Sequence, residues 1–139
     1  MSKLKAFLDK YRDKKTIGLK VGIMGGATYP DGTTVAQVGF DNEYGVPQNH
    51  VPARPFFRTA IANNRDVLPK MAASLLQKHD PETALRLVGE HMIGELSKSV
   101  MTWTDPPNAQ STIDQKGYNA PLRANDKLLR KSFSLEIEE

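Results

Sequence analysis

The chain has 139 residues, with 19 Lys and Arg against 16 Asp and Glu for a net charge of +3. With 39% hydrophobic and 25% charged residues, the composition predicts one globular domain over residues 1–139 with a lean core. No apolar run reaches the ~20 residues of a membrane span, and Met1-Ser2-Lys3-Leu4-Lys5 lacks the apolar stretch of a secretory signal. The absence of cysteine excludes disulfides, thiolate zinc sites and a cysteine nucleophile, and fits synthesis in a reducing cytosol.

Leu4, Phe7, Leu8 and Tyr11 fall at i, i+3, i+4 and i+7, which predicts an amphipathic N-terminal helix within residues 1–15. Ile17, Leu19, Val21 and Ile23 then alternate with small or polar residues, the period of a strand with one buried face. Gly25-Gly26 and Pro30-Asp31-Gly32 punctuate a loop. Thr34 and Gln37 have capping-box spacing. A short helix over residues 35–44 follows from it, with Gly45 as its end and a strand as the alternative.

Residues 46–55 hold three prolines and read as a stiff linker with exposed backbone; Pro55 suits the first turn of the next helix. Phe57, Ile61, Asn64, Leu68, Met71 and Leu75 step as a heptad seam, which Pro69 must kink or divide. Asp80-Pro81-Glu82 starts a second long helix whose stripe is Leu85, Val88, Met92 and Leu96. Residues 101–125 read as one extended loop, long enough to be functional and of a composition that orders on binding. A short helix over residues 126–131 and a strand through Phe133, Leu135 and Ile137 complete the chain.

Charge is uneven along the chain. Residues 1–20 carry seven bases against two acids, residues 116–131 carry five against one, and the last residues include Glu136, Glu138 and Glu139. Solvated helix faces account for the basic segments. A nucleic-acid-binding module using both of them is the alternative. The overall pI near 9.2 is modest for a dedicated nucleic-acid binder.

No catalytic constellation is legible. His50, His79 and His91 stand in unrelated contexts, without metal-ligand spacing. Gly22-Ile23-Met24-Gly25-Gly26 lacks the signatures of a phosphate loop, so a turn is expected there. Asp41 and Glu43 are close in sequence, but two carboxylates need a pocket to act as acid and base. Trp103 and Tyr118 could stack bases, although a lone Trp in a proline-rich loop is more often an anchor or a protein contact.

Two ordered sets of residues are more specific. The first is Asp41-Asn42-Glu43-Tyr44-Gly45-Val46 followed by Val51-Pro52-Ala53-Arg54-Pro55-Phe56-Phe57-Arg58. The second is Trp103-Thr104-Asp105-Pro106-Pro107-Asn108, Ser111-Thr112-Ile113, Lys116-Gly117, Asn119-Ala120-Pro121-Leu122 and residues 128–132. In this order, across about residues 17–137, they resemble the virion-morphogenesis proteins of long-tailed bacteriophages. This is the neck and tail-completion family that includes minor tail protein Z-like and head–tail joining proteins. One departure is Arg123-Ala124-Asn125-Asp126 where the family usually has Ile-Asp-Thr-Gly. It leaves Asn125 or Asp126 to cap the last helix.

The resemblance implies an α+β fold, a small and mostly antiparallel sheet with long helices packed across it. It implies a structural virion protein at the head–tail junction, made in the host cytoplasm, with no enzyme activity, cofactor or metal. The implied partners are identical subunits in a ring (six is one candidate number), tail terminator or tail tube proteins, and head-connector proteins. No membrane and no nucleic acid beyond the passing DNA are expected. The motif residues Glu43, Tyr44, Arg54, Phe56, Phe57, Trp103, Pro106, Pro107, Lys116 and Leu122 are the candidate interface set. Within the motif, Arg54 is expected to pair with Glu43 across a rigid proline corner, with a neighbouring subunit as the alternative partner.

Overall fold

The computed structural model describes residues 3–6, 17–24, 26–107, 122 and 128–138. It is a small α+β fold. Strand β1 (Gly18–Ile23) and strand β2 (Phe133–Glu138) pair antiparallel, and helices α1 (Val35–Tyr44), α2 (Phe56–Asn64), α3 (Val67–Lys78), α4 (Pro81–Thr102) and α5 (Leu128–Lys131) lie between them in sequence. Helix α4 is the centre, touching both strands and α2, α3 and α5.

The alternation in the two strands makes this arrangement possible. In register, Leu19 faces Ile137, Val21 faces Leu135, and Ile23 faces Phe133. Six apolar side chains therefore share one sheet face, and α4 covers it. Gly89 sits where the helix comes closest. A Cβ there would lie 2.9 Å from Leu135 Cδ2 and 3.0 Å from Leu19 Cδ1. Gly18, Lys20 and Gly22 of β1 share the other face with Ser134, Glu136 and Glu138 of β2.

Helix α1 begins at Thr34, whose hydroxyl accepts from Gln37 N–H at 3.2 Å. The capping box is only half made, because the Gln37 amide donates forward to Asp41 Oδ1 at 2.8 Å. Gly45 ends the helix at φ 78°, with its N–H on Asp41 O. The expected seam from Phe57 to Leu75 is divided; it is displaced by one residue at Phe57 and Ile61 and kept at Asn64, Leu68, Met71 and Leu75. Phe56, Ala60 and Asn64 are the buried residues of α2, while Ile61 is 40% exposed. The chain leaves the helix at residues 65–66 and re-enters it at Val67, which puts Pro69 in the first turn of α3. A continuous helix would have left the Arg65 carbonyl facing a ring with no N–H.

Helix α4 starts as its sequence predicts, with Asp80 capping Thr83 N–H at 3.4 Å and Pro81 in the first turn. Val88, Met92, Leu96 and Val100 are buried along it. The core around Phe56, Leu96, Val35 and Val100 is closed by Leu122, Leu129 and Phe133. Each large apolar side chain so enclosed is worth about 1.5–3 kcal/mol. Residues 3–6 are helical, with Leu4 49% exposed. Helix α4 runs on through Met101 and Thr102, so the chain leaves it at Trp103 and the predicted loop starts two residues later than expected. The remainder of the predicted N-terminal stripe (Phe7, Leu8 and Tyr11), most of the predicted 101–125 loop, and the Asn125 or Asp126 cap lie outside the described residues.

Candidate functional site

Residues 46–55 are more ordered than a bare linker. Val46 N–H donates to Val51 O at 2.9 Å and Val51 N–H returns to Val46 O at 3.1 Å. Between them Pro47–Asn49 form a 3-10 turn, and His50 takes φ 57°, a conformation in which His is enriched. The turn closes over Gly45, where a Cβ would stand 2.8 Å from Ala53 N and 2.9 Å from Val51 O. Only glycine offers both the positive φ and the space.

The corner then delivers the chain into α2. That helix has Pro55 at its N-cap and no capping side chain of its own, so its first N–H groups need outside partners. Glu43, 5% exposed at the end of α1, supplies them. Its Oε1 accepts from Phe57 N–H at 2.8 Å. Its Oε2 accepts from Arg58 N–H at 3.2 Å and from Arg58 Nε at 2.6 Å. Arg58 Nη2 donates to the Glu43 carbonyl at 3.2 Å. A carboxylate at a helix's positive end, with charge-assisted bonds, is a strong cap.

The expected pair of Glu43 with Arg54 is therefore not formed; Arg58 takes that place. Starting α2 at Phe56 puts Arg58 in the first turn, over the carboxylate. Arg54 leaves the corner in another direction. Its Nε donates to Pro106 O at 2.8 Å and its Nη2 to Pro107 O at 3.0 Å. Only 9% of Arg54 is exposed, and burial pushes its guanidinium below the ordinary arginine range. The Arg54 N–H bonds Asn42 O at 2.6 Å, so α1, the corner and the segment after α4 meet at one residue. That segment opens with Trp103, half-buried against the core, whose indole N–H donates to Asp105 O.

Above this frame lies an aromatic surface. Phe40 is 60% and Tyr44 54% exposed, and their rings are 4.8 Å apart. The Arg58 guanidinium stands 4.7 Å over the Tyr44 ring, a cation–π contact that holds the ring upright. A cleft of about 260 Å³ runs beside them, with Ile23, Gly39 and Phe56 among its walls. At Gly39 a Cβ would reach within 2.8 Å of Ile23 Cδ1, so the glycine lets α1 settle against β1.

Of the motif residues, Glu43, Tyr44, Arg54, Phe57, Trp103, Pro106 and Pro107 gather around the corner. Phe56 and Leu122 are core residues, 1% and 4% exposed, and Lys116 lies outside the described residues. Sequence reasoning missed Phe40, whose place four residues before Tyr44 on α1 was the available signal, and missed Arg58 as the partner of Glu43. His91, one of the three histidines, bonds Asn64 Oδ1 at 2.9 Å and ties α4 to α2. Among the described residues, no group of three His, Cys, Asp or Glu is placed to hold a metal ion. Nor is any helix long and apolar enough to cross a membrane. No family model, no curated protein and no solved structure matches the chain.

Proposed function

We propose that the chain is a structural virion protein of a tailed bacteriophage, a neck or tail-completion subunit that works without enzyme activity in a ring of identical copies. One observation carries the reading. The two motif stretches, more than forty residues apart, converge in space, with Arg54 of the first holding the Pro106 and Pro107 carbonyls of the second. The same corner is braced by the charge-assisted bonds of Glu43 to Arg58, and the exposed rings of Phe40 and Tyr44 stand beside it, with Arg58 over Tyr44. Aromatic side chains on a rigid support are suited to protein docking, since little conformational entropy remains to be lost.

The test is mass spectrometry of purified particles from the phage that encodes the chain. The expected result is the protein present in complete virions at a fixed ratio to the other junction proteins. A protein absent from particles, which binds DNA with an affinity falling steeply as salt rises, would favour the nucleic-acid-binding alternative instead.

A further inference from the structure

Among the described residues the sheet has two strands, so β1 and β2 each keep an outer edge with no third strand beside it. A two-stranded ribbon is marginal alone, and an open edge is a template for another strand. We propose that the outer edge of β1 takes strand β2 of a second copy of this chain, extending the antiparallel sheet from subunit to subunit. The proposal rests on the ring reading above and names the contact that would build the ring.

Charge selects this partner. The open face of β1 carries Lys20 between Gly18 and Gly22, and that of β2 carries Ser134, Glu136 and Glu138. Within one chain Lys20 Nζ is 2.7 Å from Glu138 Oε1 and lies in register with Glu136. Setting β2 against β2 brings Glu136 and Glu138 against the same acids. Setting β1 against β1 brings Lys20 toward Lys20 among glycines that add no contact. Directly opposed like charges destabilise a strand pair, whereas opposite charges support it. A lysine in mid-strand deters most added strands, but it suits one whose facing residues are acidic.

The backbone permits the same register on the outside. In an antiparallel pair, register partners point their N–H and C=O groups the same way, alternately inward and outward. Partners that bond inside a chain thus leave their neighbours free to bond across copies, with Lys20 again opposite Glu136. The apolar pairs Leu19–Ile137, Val21–Leu135 and Ile23–Phe133 recur as well. Among the described residues nothing crowds the open face, since a Cβ at Gly18 or Gly22 would meet nothing within 4 Å. Because unlike edges meet, the contact is head-to-tail, and it closes into a ring when the rotation per subunit permits.

The chain has no cysteine, so single cysteines report the contact cleanly. Lys20→Cys protein and Glu136→Cys protein are purified separately, mixed at high concentration with no other component, and oxidised. Neither chain can form an internal disulfide. Opposed strand positions have the Cα spacing a disulfide needs. The expected product is a mixed dimer in excess of both homodimers combined. Homodimers in equal or greater amount, or no disulfide at all, would overturn the proposal. Mass photometry of the unmodified protein separates the two readings: rings that give no mixed disulfide discard the strand contact and leave the ring standing.

Discussion

Glu43 caps a helix to which it does not belong, and its two oxygens meet three donors of α2. Replacing it with alanine strands two backbone N–H groups and an arginine, at an expected cost of about 2–4 kcal/mol in chemical denaturation. A double-mutant cycle on Glu43 and Arg58 should give coupling of about 1 kcal/mol, modest because the Arg58 side chain is 56% exposed. The same cycle on Glu43 and Arg54 should give coupling near zero, and a larger value there would reject the partner assignment. Arg54→Ala should itself cost about 1–3 kcal/mol, since it releases two carbonyls from a buried donor, and lysine should restore little because it lacks the fork. Two arginines lie within four residues of each other in the motif, and spacing alone does not choose between them. The choice follows from the helix start: α2 lacks a capping side chain, and that absence was the sequence signal that a carboxylate from elsewhere must serve.

At the scale of elements, alternation and end signals were sufficient for β1, β2 and α4, and for α1 the Thr34 cap favoured a helix without excluding a strand. Each of these carries either a strict period of two or a side chain that satisfies its own first N–H groups. Along the seam of α2 and α3, Asn64, Leu68, Met71 and Leu75 lie on the inner side as expected. The seam was misplaced by one residue only at Phe57 and Ile61, because Phe56 and Phe57 are equally apolar. Only packing beneath α4, where Ser99 Oγ donates to Phe56 O at 2.8 Å, decides which of the two points inward. The glycines of α4 give a test of that packing. Gly94 is exposed with nothing within 4 Å of a Cβ, so Gly94→Ala should raise stability by about 0.5–1 kcal/mol through helix propensity. Gly89→Ala gains the same propensity but forces Leu135 and Leu19 aside, and should destabilise by about 1–2 kcal/mol net. Equal effects at the two sites, read from thermal or urea melts, would show that α4 does not sit this close to the sheet.

At the scale of the whole molecule, the fold separates a supporting frame from a presented surface. Phe40 and Tyr44 are exposed and lie outside the core cluster. Their joint replacement by serine should lower unfolding free energy by about 1–2 kcal/mol, the worth of their ring contact and of the Arg58 cation–π contact, while particle yield falls by orders of magnitude if these rings meet a neighbour in the junction. This surface was only half legible in the sequence: Tyr44 belongs to a recognisable motif, whereas the exposure of Phe40 depends on how α1 rotates once Gly39 and Val35 turn inward. The most direct measurement of the central claim is electron microscopy of lysates from the phage with this gene deleted. The account predicts filled heads and finished tails that remain separate, with joining restored by the wild-type protein supplied in trans. Normal numbers of complete, infectious particles without the protein would contradict it.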